Sequence, residues 1–267
     1  MADVSGSMAP DAAPVEAPVD ETNGNFCWVE NGRLLHPFDP VPPSPLTAFV
    51  HDSFRALALN EHFPCAGGRA AVRQSAYRFG LYNELGGAQS AAALACDLQR
   101  FNEDSMLRDS PLRAYVASYI GPVPSNEEQF EARLWATLQR LADLDDSAWV
   151  STRSDDPDSP TFGFSFGGVG FFIVGLHASS SRVARRFAFP TLVFNPHDQF
   201  DRLRREGKFA RFRDVIRAKD VDLAGTVNPM LRDFGDGSEA RQYSGRAVDS
   251  EWRCPFRPRD ARRREEQ

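Results

Sequence analysis

In the stretch GFFIVGLHASSSRVARRF, residues 170–187, a histidine leaves the most apolar run of the chain and meets hydroxyls and cations. An imidazole at the end of a strand faces out of a rigid sheet, where the neutral ring serves as a metal ligand or a general base. His177 is one such ring, and His197, after the strand-like TLVFNP, is a second. If SSSRVARRF opens a helix, Arg182, Arg185 and Arg186 fall at i, i+3 and i+4 along one face. Ser180 and Ser181, with the helix N-terminus, add hydroxyl and backbone N–H donors. A histidine beside donors for two carboxylates or a phosphate is what a porphyrin with two propionates requires. The plainer alternative is a solvated basic face beside a structural histidine.

Other chemical signals are weaker. Gly163-Phe-Ser165-Phe-Gly167 satisfies the serine-hydrolase elbow pattern, but that elbow needs a strand before the serine and a helix after it. Here DDPDSPT precedes and a second strand follows, so the spacing predicts a hairpin turning at Gly167-Gly168. No phosphate-binding loop, dinucleotide fingerprint or H-E-x-x-H is present. Asp233-Phe-Gly235 lacks the rest of a kinase signature and reads as coincidence. His36, His51 and His62 have no partners in the sequence pattern and read as structural or surface residues. Cys27, Cys65, Cys96 and Cys254 lie far apart, which argues against a zinc site or disulfide framework and fits a reducing cytoplasm.

The elements that must position these residues come from periodicity. The chain has 267 residues and a net charge of -6, with basic and acidic residues mixed. That balance excludes a nucleic-acid footprint. No apolar run reaches the ~20 residues of a membrane span, and the N-terminus lacks the pattern of a signal peptide. Residues 1–24 are rich in Ala, Pro, Asp and Glu and are expected to be disordered. Residues 25–257 form one expected domain, and 258–267 a charged tail. Ser44-Pro45 caps a predicted helix, residues 88–101 form another, and Ser125-x-x-Glu128 is read as a capping box before a third. A hairpin around Gly167, a strand over 190–195 and helical faces from Phe200 to Ile216, broken near Gly207, complete the pattern. Helices, then strands, then helices predict an α+β domain: a helical N-terminal half on a small, mainly antiparallel sheet, with C-terminal helices.

FPCAGGRAAVRQSAYRFGLYNELG, GLHASSSRVARRF, TLVFNPHDQFDRLR, NPMLRDFGDGSEARQYSGR and WRCPF, in that order, resemble the YqcI/YcgG family. The resemblance spans about residues 63–256. It implies a cytoplasmic heme protein, with heme b as cofactor, that N-hydroxylates the guanidine of arginine or a relative in natural-product biosynthesis. One departure is Ala178, where the family usually has proline after the histidine.

On that reading His177 is the first choice of axial ligand, with Arg182, Arg185 and Arg186 on the propionates. His197 is the alternative ligand or an acid–base group. A planar guanidinium calls for a bidentate carboxylate, for which Glu239 is the best candidate and Asn195, Asn228 and Asp198 are weaker ones. Dioxygen or peroxide, an external electron donor and a small guanidino substrate are the expected partners, without nucleic acid or membrane; a homodimer stays open. Cys254 as a thiolate ligand, a non-catalytic heme carrier or sensor with His177 and His197 both on iron, and a non-heme iron triad of His177, His197 and Asp198 are the competing readings.

Overall fold

The computed structural model describes residues 20–21, 25–37, 41–104, 110–226, 229–230 and 235–258. Seven strands form a single mixed sheet in the order β2-β1-β3-β4-β7-β6-β5. They are β1 (Cys27–Glu30), β2 (Arg33–Leu35), β3 (Tyr77–Glu84), β4 (Ala114–Gly121), β5 (Phe164–Phe166), β6 (Val169–Leu176) and β7 (Thr191–Pro196). Only β3 and β4 run parallel; α3 (Ala88–Glu103) makes the crossover that a parallel pair needs. The α+β class expected from sequence is the one observed. The sheet is larger than expected, because β1 to β4 lie in the half of the chain read as helical.

Period-2 alternation gives the sheet two different faces. Tyr82, Tyr115, Phe171, Ile173 and Phe194 belong to one core, packed against α3 and α4 (Glu127–Leu144). Tyr77, Phe79, Val116 and Leu176 belong to a second core, with Val174 and Val193 against it. This second face is covered by α1 (Pro45–Leu59) and α2 (Ala66–Arg73), and by α5 (His197–Arg205) and α6 (Phe209–Ala224).

Several local readings hold. Ser44 Oγ accepts from the Thr47 amide at 3.1 Å and caps α1. Gly167 and Gly168 have φ of 59° and 72°, the two positive values that a type I′ turn demands. Ser165 lies within β5, and its hydroxyl accepts from the Val150 amide at 3.1 Å, so it is no nucleophile elbow. Gly207 (φ 68°) separates α5 from α6.

Others need correction. The N-cap of α4 is Asn126, which accepts from the Gln129 amide at 2.9 Å, while Gln129 Oε1 takes the Ser125 amide at 3.1 Å; the box sits one residue later than expected. SSSRVARRF forms only a 3₁₀ turn over Val183–Arg185, so no helical face aligns its arginines. Glu21, inside the segment expected to be disordered, is buried and accepts from the Asn83 amide and Ser90 Oγ, each at 2.7 Å. No helix among the described residues is long and apolar enough to cross a membrane.

Candidate functional site

A cleft of about 300 Å³ opens between the second face of the sheet and the helices α2, α5 and α6, a volume at the lower end of small-molecule sites. Its floor is Phe172, Val174 and Asn195 from β6 and β7; its roof includes Phe209, Phe212 and Ile216 from α6. Gly67 lets the roof come down, since a Cβ there would meet the Phe212 ring at 2.8 Å.

His197 enters this cleft from the first position of α5. Its Nε2 lies 2.9 Å from Glu239 Oε1, and Glu239 also lines the cleft. Tyr243, from the short helix α7 (Ala240–Tyr243), donates its hydroxyl to the same oxygen at 2.5 Å. Burial, and then the Glu239 charge, hold that phenol well above its ordinary pKa. The Nε2–Cδ2 edge of His197 rests on two glycines. A Cβ at Gly163 would stand 2.8 Å from Nε2, and one at Gly170 would stand 3.2 Å from Cδ2. The opposite vertex, Nδ1, faces away from those strands.

Arginines surround the cleft, and most are paired. Arg182 bonds Asp220 at 2.6 Å, Arg113 bonds Asp198 at 2.8 Å, and Arg204 bonds Asp201 at 2.8 Å. Arg185 differs: its guanidinium donates to the carbonyls of Gly175, Gln242 and Tyr243 at 3.0–3.4 Å, and no carboxylate takes it among the described residues. Loss of hydration lowers its pKa to about 10. A cation held by carbonyls beside an apolar cleft attracts an anion, because a carboxylate would restore part of the solvation it lacks.

His177 lies elsewhere. It continues the row of Ile173 and Gly175 on the α4 face, where its ring stacks on Phe130 with centroids 4.2 Å apart. It is fully buried, and neither ring nitrogen has a hydrogen-bond partner among the described residues. Arg186 donates to the carbonyls of Ser180 and Ser181, and the Ser181 hydroxyl donates to Glu127 at 2.8 Å; these three residues do not line the cleft. Arg182, Arg185, Asn195, His197 and Glu239 do. The Asn195 amide is spent on the carbonyls of Phe172 and Val193. Asp198 is exposed and tied to Arg113. Asn228 lies outside the described residues. Cys254 packs against the α4-side core, and burial pushes its thiol up to about 12.

These positions remove two of the competing arrangements. His177 and His197 lie on opposite faces of the sheet, so they cannot share one iron. Among the described residues no cluster of three His, Cys, Asp or Glu could hold a metal ion. The cleft residues missed by sequence reading are Arg113, Arg204 and the α6 phenylalanines; no local signal marks them, since they meet only in the fold.

Residues 54–257 match the model of the YqcI/YcgG family. Over 205 residues the chain is 28% identical to "Uncharacterized protein YcgG" of Bacillus subtilis (strain 168), covering 73% of this chain and 80% of that protein. It is 25% identical over 203 residues to "Uncharacterized protein YqcI" of the same organism, with the same coverage. No solved structure matches. With three quarters of its length accounted for, the chain belongs to the YqcI/YcgG family.

Proposed function

We propose that the protein is a heme-dependent oxygenase that N-hydroxylates the guanidine of arginine or a related compound. The observation that carries the heme is the cleft itself, which joins apolar walls, one carboxylate-held imidazole and arginines in a single enclosure. The guanidine specificity comes from the family resemblance.

The donor types in the cleft, an imidazole and guanidinium groups, are those that a b-type heme would use. His197 is the residue to hold the iron: Glu239 fixes its Nε2 and so its tautomer, as a carboxylate commonly does for a metal-ligating histidine. Arg185 would hold a propionate, and Arg182 would join it only by giving up its bond to Asp220. A bound heme supplies oxygen-transfer chemistry from dioxygen or peroxide. The chain contributes binding and exclusion of water, through Phe172, Phe200 and Phe212. Glu239 Oε1 is already taken by His197 and Tyr243, so Glu239 offers a guanidinium one remaining oxygen rather than a bidentate carboxylate. The sequence has no flavin motif, and electrons come from a separate donor.

The test is hemin titration of purified protein, followed by mass spectrometry of reactions with reductant, air and a panel of guanidino compounds. A Soret band in the unaltered protein, its loss in His197→Ala, and a product heavier by one oxygen are expected. An identical hemin spectrum in His197→Ala would overturn the ligand assignment, and the absence of any Soret band would overturn the function.

A further inference from the structure

Tyr243 lies where the sheet has an opening between its two faces. β5 pairs with β6 only as far as Phe164 opposite Phe171, and α7 lies against the rest of that edge of β6. The Tyr243 hydroxyl is wedged into the end of this ladder: it accepts from the Phe164 amide at 3.1 Å and lies 3.2 Å from the Phe171 carbonyl oxygen. On the cleft side it meets Glu239. On the other side its ring stacks on Trp135, with centroids 5.6 Å apart and planes at 26°. Trp135 in turn meets Trp252 at 6.4 Å. Both separations lie within the usual range of contacting aromatic rings, ~4.5–7 Å. Trp135 is 2% exposed, whereas Trp252 is only partly buried and carries Arg241 over its ring.

The core holds many other ring pairs, but phenylalanine is not oxidised at biological potentials, and tyrosine and tryptophan are. Trp149, by contrast, has ring contacts with Phe162, Phe164 and Phe256 among the described residues. The three oxidisable rings from Tyr243 to Trp252 thus form a continuous line from a cleft-lining carboxylate to the surface.

We propose that Tyr243, Trp135 and Trp252 form a relay that carries single oxidising equivalents from the cleft to the protein surface. A one-electron oxidant derived from peroxide in the cleft takes an electron from Tyr243, and the phenolic proton passes to Glu239 Oε1, within direct transfer distance. Trp135 then gives an electron to the tyrosyl radical, and the proton returns from Glu239 to the phenolic oxygen. The Trp135 Nε1–H has no acceptor among the described residues, so the indole stays a radical cation until Trp252 reduces it. A one-electron donor in solution, such as a thiol or ascorbate, restores Trp252. The net change is one electron from that donor to the oxidant, with no proton gained or lost by the chain. The relay rests on the oxygenase reading for its oxidant, but its side chains can be tested without one.

In pulse radiolysis of the heme-free protein, azide radicals oxidise tryptophan, and electron exchange along the same line is read in its downhill sense, as the indolyl radical absorption converts to that of a tyrosyl radical. The relay runs the opposite way because the surface donor drains Trp252. The unaltered chain is expected to show a first-order conversion phase independent of protein concentration. That phase should be lost in Trp135→Phe and in Tyr243→Phe, and slowed in Glu239→Gln, which keeps a side chain of the same shape but removes the proton acceptor. If Tyr243→Phe fails to fold by circular dichroism, Trp135→Phe and Glu239→Gln decide the matter. No such phase in the unaltered chain, or an unchanged rate in the variants, overturns the relay. Hemin titration reads the oxygenase proposal separately, since radical migration requires no bound heme.

Discussion

His177 and His197 follow two neighbouring strands yet project from opposite faces of the sheet. β6 and β7 are paired antiparallel, with Leu176 opposite Thr191 and Phe171 opposite Pro196. His177 therefore emerges at one end of this pair and His197 at the other. The first stacks on Phe130 of α4, and the second meets Glu239 in the cleft. One ring packs within the core, and the other lines the cleft.

The two rings should therefore respond differently to replacement. His177→Phe keeps the stack on Phe130 and removes two buried nitrogens that have no partner among the described residues. Removing such groups relieves about 1–3 kcal/mol of desolvation, so urea unfolding should show equal or greater stability, with hemin binding retained. A drop in stability, or loss of the Soret band, would mean that this ring has a bonding partner.

Acid should destabilise the fold through buried imidazoles. Burial lowers His177 from 6.5 to about 4, and it lowers His51 by the same amount against the opposing pull of Asp52. The folded pKa lies below the unfolded one, so the unfolded chain binds the extra proton first. Stability from this source is complete above pH 6.5 and is lost as pH falls towards 4, by about 3 kcal/mol per histidine. Urea midpoints measured across that window should fall, and His177→Phe should remove one of the two shares. A flat profile in the unaltered chain would refute the assignment.

Gly163→Ala should disturb the site more than the fold. Its Cβ would come within 2.8 Å of His197 Nε2 and 2.9 Å of Arg153 Cδ. Arg153 cannot easily yield, being held by a two-pronged bond to Asp201 at 2.9 Å. The imidazole must shift, so hemin affinity should fall while far-ultraviolet circular dichroism is unchanged. Unaltered hemin affinity would show that the ring is not positioned by this contact.

Glu131 should be the carboxylate that fastens the C-terminal segment. It accepts from Ser244 Oγ at 3.0 Å, from Arg246 at 2.6 and 3.0 Å, and from Trp252 Nε1 at 3.3 Å. Glu131→Ala breaks a largely buried ion pair, which costs about 3 kcal/mol at the lower end for such pairs, because Arg246 keeps some contact with water. Trp252 fluorescence should shift to the red as the segment loosens. A stability loss confined to a few tenths of that would assign the anchoring to the aromatic contacts instead.

Features fixed by near neighbours were legible in the sequence. The Ser44 cap, the Gly167-Gly168 turn and the break at Gly207 each depend on a few adjacent residues. β3 was not legible: YRFGLYNE is covered on both faces, so it shows no alternation, and its buried Arg78 is bonded to Asp104 at 2.6 Å and to the Tyr77 carbonyl at 3.1 Å. The site divides in the same way. His197 could be picked out as an imidazole at a strand end, whereas Arg185 entered on a helical spacing that the fold does not have, and Glu239 as a carboxylate that a guanidinium would need. His177 could not be excluded, because both faces of β6 are apolar and alternation does not say which of them has a cleft. That choice is made by α2 and α6, which lie more than a hundred residues away from it or follow it in the chain.

The close approach of α2 to α6 at Gly67 makes a single hydrogen atom the spacer that sets the ceiling height of the enclosure. Each carbon added at that position would act as a shim, tilting α6 outward through Phe212. The size of guest admitted could then be adjusted from a residue that never needs to touch it.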